Sequence, residues 1–158
     1  MEIVRIGHPA LRKKTCKVLK VTDQERGMLE EMAKTMYLEG GVGLAACQVG
    51  INKQLAVIDI GDGLIKLINP TIVKKEGCET LEEGCLSVPE TAVKVKRAKK
   101  VTVECLNDKG EVITIEAKGL LARVLQHEID HLLGKLIVDY LSPIKKLFFP
   151  TRLTTRKL

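Results

Sequence analysis

Tryptophan is missing from this chain, and phenylalanine and tyrosine occur only twice each in 158 residues. So few rings cannot build the stacking platform on which single-stranded nucleic acids are bound, and no nucleic-acid-binding module is expected. The formal charge is +6, concentrated in "VKVKRAKK" (93–100) and in the tail "KKLFFPTRLTTRKL" (145–158). These runs read as solvated basic faces, with attraction to acidic or RNA-rich surroundings as the alternative. No stretch approaches the ~20 apolar residues of a membrane span. The start, "MEIVRIGHPALRKK", lacks the apolar core of a secretory signal, so a cytoplasmic location is expected. Cysteine is present in an odd number, five, with no framework of closely spaced pairs, which favours reduced thiols, some of them free for metal or chemistry.

What is present is the composition of an ordinary globular domain, 45% hydrophobic and 29% charged. One domain over 1–158 is expected, since no repeat, low-complexity tract or linker divides the chain. Thr22 followed by Glu25 forms a capping-box pattern, Met28, Leu29, Met32, Ala33 and Met36 recur at helical spacing, and Gly40 and Gly41 end the run. A glycine-rich loop is expected over 40–50. "QLAVIDI" (54–60) and "LIKLIN" (64–69) flank "GDG", and "KVTVECL" (100–106) and "EVITIEA" (111–117) flank "NDKG". Both pairs read as hairpins, with shorter extended pieces around 71–82 and 91–96.

A second helix is expected from about Gly119 to Leu133, closed by Gly134. At about 100° per residue, Leu120, Val124, His127 and His131 fall within about 60° of one another. Leu121, Leu125, Glu128 and Leu132 fill the adjoining sector, so few positions face water and the helix is expected to lie buried against sheet. The fold class is therefore α+β: antiparallel sheets around a central helix, with the N-terminal helix packed outside.

That central helix carries "QHEIDH" (126–131). Two histidines one turn apart can both reach a single ion, and a glutamate about 100° away can reach a water beside it, the place of a general base. Catalytic metals commonly take three protein ligands. The remaining histidine, His8, lies before the first helix, so a carboxylate or thiolate is needed. Cys85 in "EEGCLSVP" is the best candidate, although a buried structural thiol is the commoner fate of a free cysteine. "GVGLAACQVG" (41–50) suits a chain pressed against a ligand, with Gln48 at its end; a bond from Gln48 to nearby backbone is the plainer reading. Leu120 and Val124 share the histidine face and could line an apolar pocket or simply pack on the sheet. Asp130 needs a partner, and Arg97 is the guess, most simply as a structural ion pair.

"GVGLAACQ", "EGCLS" and "QHEIDH" resemble, in order and spacing, the three signature motifs of peptide deformylase, and "RIGHPALRKK" and "LINP" extend the likeness over nearly the whole chain. The resemblance implies that Cys85, His127 and His131 hold one divalent metal ion with water or hydroxide in the fourth place. That ion is natively Fe2+, with Zn2+, Ni2+ or Co2+ as substitutes. It implies Glu128 as general base and later acid. Gln48 through its side-chain amide and Leu86 through its N–H become oxyanion donors, and Gly43, with Val42 beside it, contacts the bound peptide. The implied reaction removes the formyl group from N-formylmethionine of nascent polypeptides, releasing formate; docking on the ribosome is a conceivable use of the basic tail, with solvated charge the plainer reading. Two departures stand out: Cys47 occupies a position where many relatives have proline, offering a second thiol to oxidation, and no arginine follows "CLSVP" before Arg97. The rivals are a zinc endopeptidase, for which Asp139 is the downstream candidate ligand, and a structural site completed by Cys78.

Overall fold

The computed structural model describes residues 1–147 and Phe149; most of the basic tail, and with it any ribosome-docking segment there, lies outside the described residues. Helix α1 (Asp23–Leu38) begins where the sequence places it, with Thr22 and Glu25 closing a reciprocal capping box. A short strand β1 (Gly43–Ala45) follows, then a 3-10 turn over Ala46–Val49 that ends on Gly50. The stretch expected as loop is thus half ordered: once Leu44 and Ala45 are buried against the helices on either side, pairing with a neighbouring strand satisfies their backbone.

β1 pairs with β2 (Leu55–Ile58), which turns into β3 (Ile65–Glu76), and β6 (Lys100–Leu106) and β7 (Val112–Lys118) complete a five-stranded antiparallel sheet in the order β1-β2-β3-β6-β7. β2 stops two residues earlier than expected because the Asp59 carboxylate takes the N–H groups of Gly61 and Gly63 and turns the chain. β3 runs well past Asn69, with a register shift around Asn69 and Pro70. Asn69 adopts a positive φ of 54°, and its amide bonds both backbone groups of Val18. β4 (Glu79–Cys85) and β5 (Val88–Arg97) form a separate two-stranded sheet.

β2 shows why the sheet has two covered faces. Ala56 and Ile58 point into the cluster beneath helix α2 (Gly119–Leu132), whereas Leu55 and Val57 point into the one beneath α1. All four are fully buried. A third cluster, with Val93, Val95, Leu11 and Ile137, seats the β4–β5 hairpin on the chain ends. α2 ends as a Schellman motif: Gly134 donates to the His131 carbonyl and Lys135 to that of Asp130. Gly134 has φ +78°, and a Cβ there would stand 2.7 Å from the Arg12 carbonyl oxygen, so this corner admits glycine alone. Among the described residues, no helix is long and apolar enough to cross a membrane.

Candidate active site

The last turns of α2 meet the end of β4 at the mouth of a cavity of about 460 Å³. Val42, Gly43, Gln48, Cys85, Leu86, Leu120, Val124, His127 and Glu128 all line it, and His131 sits behind them, 1% exposed. His131 Nε2 lies 3.1 Å from His127 Nε2 and 3.2 Å from the Cys85 sulfur, and the three candidate donor atoms fall within 4.8 Å of one another.

His127 turns its Nδ1 to Glu83 Oε2 at 3.0 Å. Glu83 also receives Arg97 and Arg123. Burial opposes its charge, but the bonds from His127, Arg97 and Arg123 hold the carboxyl down at about 2. An ionised Glu83 can only accept, so Nδ1 of His127 carries a proton and Nε2 is the atom turned toward the His131 ring. Burial keeps His131 well below the ordinary imidazole range, hence neutral. Burial depresses His127 as well, yet bonds to Cys85 and Glu83 outweigh it and raise the ring to about 10, so this spot attracts positive charge. A cysteine sulfur and two imidazoles converging where a cation is favoured fit a divalent metal ion.

Glu128 stands outside this donor group, as its place on the wheel requires. Burial lifts its carboxyl to about 7, and Oε2 has no hydrogen-bond partner among the described residues. The Gln48 amide is fixed in one orientation: Oε1 must accept from the Ala45 N–H (2.8 Å), which leaves Nε2 facing Ser87 Oγ (3.2 Å) and the Cys85 sulfur (3.7 Å). The plain backbone bond expected for Gln48 is therefore what aims its donor end at the site. Leu120 is 55% exposed at the rim, and Val124 is buried deeper in the wall.

Several expectations fall elsewhere. His8 caps a short turn at the Ala10 N–H, and Asp139 is paired with Arg12, so neither joins the donor group. Cys78 is exposed and likewise outside it. Cys47 does not offer the accessible thiol that sequence suggested: it is 1% exposed and donates to the His131 carbonyl oxygen, and burial pushes it up to about 12. Asp130 does bind Arg97, at 2.6 Å. Sequence reasoning missed Glu83 and Arg123. Glu83 lies two residues before Cys85, but the charged strand carries no alternation that would mark it, and a register shift falls between the two. Arg123 ties α2 to the hairpin through Glu83 and the carbonyls of Glu79 and Val95.

A family model described as polypeptide deformylase matches residues 1–147. The chain belongs to the polypeptide deformylase family. The peptide deformylase of Pseudoalteromonas translucida is 48% identical over 149 residues, covering 92% of this chain and 89% of its own. That of Carboxydothermus hydrogenoformans is 52% identical over 138 residues, 87% of this chain and 91% of its own. Among solved structures, the Legionella pneumophila peptide deformylase superposes with TM-score 0.89 at 44% identity, covering 93% of this chain and 89% of its own. A Synechococcus elongatus peptide deformylase, solved with actinonin, gives 0.88 at 40% identity, covering 93% and 81%. As a member of this family the chain is a metal-dependent hydrolase that removes the N-formyl group from nascent peptides.

In this deformylase Gly43 has a steric task. A Cβ there would lie 2.3 Å from Glu128 Oε1 and 2.9 Å from Val124 Cγ1. Gly43→Ala is expected to displace the carboxylate and lower kcat by about 10²-fold, the scale of a 1 Å misplacement. Formate release against substrate concentration checks this; wild-type kcat in the variant would mean that the carboxylate has room to move.

Proposed function

We propose that Cys85, His127 and His131 hold one divalent ion, natively Fe2+ with Zn2+, Ni2+ or Co2+ as substitutes, and that the surrounding residues deformylate N-formylmethionyl peptides. The observation that carries this reading is the convergence of the three donor atoms beside a buried carboxylate that belongs to none of them. An ion held there supplies Lewis acidity, polarising a carbonyl oxygen and lowering the pKa of water towards about 7.

Glu128 takes a proton from the attacking water and later delivers it to the peptide nitrogen as the formyl C–N bond breaks. Gln48 Nε2 and the Leu86 N–H donate to the oxygen that gains charge when the formyl carbon becomes tetrahedral. β1 is an edge strand, so its outer side is open to an extended peptide laid alongside Gly43; the Val42 carbonyl already accepts from the Asp59 N–H, and this residue meets the peptide through its exposed side chain. Leu120 and Val124 form an apolar wall for the methionine side chain. The cytoplasm, where nascent chains emerge, is the setting this implies.

The test is formate release from a formyl-Met peptide. Gln48→Leu, close in size but without a donor, is expected to lose about 10²- to 10³-fold in kcat. Cleavage of an internal peptide bond with no formate produced would overturn the reading in favour of an endopeptidase.

A further inference from the structure

Behind the site runs a file of alternating charges that reaches the protein surface. Tyr140, on the 3-10 turn after α2, donates its hydroxyl to Asp130 Oδ2 at 2.6 Å. The same oxygen receives Arg97 Nη1 at 2.6 Å. Arg97 turns its other edge to Glu83, Nε and Nη2 reaching the two carboxylate oxygens at 2.8 and 2.9 Å. Glu83 Oε2 then meets His127 Nδ1. Burial deepens from Tyr140, 39% exposed, to the Asp130 and Arg97 side chains, 16% and 4% exposed, and the Glu83 side chain is buried too, at 6%.

We propose that Tyr140 and Asp130 are positioning residues that act on His127 through Arg97 and Glu83. The inference rests on His127 being a metal ligand. A guanidinium is planar and rigid, so fixing one edge fixes the other. Asp130 and Tyr140 hold the outer edge of Arg97, and the phenol ring lies under its charge, 5.2 Å from the guanidinium carbon. The inner edge then presents Glu83 to the imidazole at one angle. Two carboxylates and two arginines (Asp130, Glu83, Arg97, Arg123) sum to no net charge, so the file orients the ring without requiring it to be cationic. An ordinary ion pair between Arg97 and Asp130 would need neither the tyrosine nor the bidentate grip on the carboxylate that bonds His127.

Tyr140→Phe is the informative variant, because it keeps the ring beneath Arg97 and removes only the hydroxyl, with its bond to Asp130 and the longer one it accepts from Arg97 Nη1 at 3.4 Å. Zn2+ affinity of the full chain is measured by competition with a chelator for wild type, Tyr140→Phe, Glu83→Gln and the double variant, with Cys85→Ser as control. Removing a direct partner of a ligating histidine typically costs about 10- to 100-fold in affinity. Glu83→Gln is expected in that range, Tyr140→Phe lower by about fivefold, and the double variant no weaker than Glu83→Gln alone. In parallel, the Nδ1–H resonance of His127 in the Zn2+-loaded protein is expected to move upfield in Tyr140→Phe with Tm unchanged, which a purely structural role does not produce. Unaltered affinity and resonance in Tyr140→Phe, or additive losses in the double variant, overturn the proposal. If Glu83→Gln does not fold, the Tyr140→Phe resonance decides alone. If Cys85→Ser binds Zn2+ as wild type does, the ligand assignment itself has failed.

Discussion

Replacing Glu128 by alanine is expected to lower kcat by about 10²- to 10⁴-fold while the protein keeps its ion. Both parts follow from position. Glu128 sits on the same helix as the two histidines but outside the group of candidate donor atoms, so its loss leaves all three proposed ligands in place. It is buried, 3% exposed, and Oε2 has no partner among the described residues. Truncation therefore opens a small cavity but also removes an unpaired buried polar atom, two effects of opposite sign, and Tm is expected to change little. Glu128→Gln should be as inactive as the alanine variant, because an amide of the same size cannot accept the proton. Measured turnover, metal content and Tm separate the outcomes: near-wild-type kcat removes Glu128 from the mechanism, and loss of the ion makes it a ligand.

Cys85→Ser is expected to have an effect of similar size for a different reason. A serine hydroxyl in place of the thiol removes the one proposed ligand that binds a cation as an anion, so metal content should fall and activity with it. The fold should persist without that sulfur. Strand β4, which carries Cys85, is held to α2 by Arg123 and to β5 by Arg97, both through Glu83 two residues away. The β4–β5 hairpin is seated from below by Val93 and Val95 in an apolar cluster. Cys85→Asp, which restores a charged ligand of harder character, should recover part of the bound ion. Elemental analysis of the purified variants is the check; a Cys85→Ser protein with a full complement of tightly held metal would remove sulfur from the site.

The two histidines and the glutamate were legible in the sequence because a helix of known pitch converts spacing directly into direction. The same periodicity marked Leu120 and Val124 correctly as neighbours of the imidazoles. β6 was legible residue for residue, since "KVTVECL" alternates cleanly between a buried and an exposed face. β4 was not: six of the seven residues of "ETLEEGC" are at least partly exposed, and a strand with no apolar face leaves no alternation to read. The same charged strand hid Glu83, whose importance comes from three partners that converge only in the folded chain, two of them at 97 and 123. Cys47 erred in the other direction. Its closeness to Gln48 suggested a reactive thiol, whereas the 3-10 turn directs the sulfur into the core against the His131 carbonyl. Local spacing reports which residues share a helix face; it does not report which way a turn points.

The most direct test of the account is X-ray absorption at the metal edge of the purified, metal-loaded protein, compared with Cys85→Ser. One sulfur, two imidazole nitrogens and at least one light oxygen scatterer are expected in the wild type, with the sulfur contribution gone in the variant. A wild-type spectrum without sulfur, or with two sulfurs and no exchangeable oxygen, would contradict it.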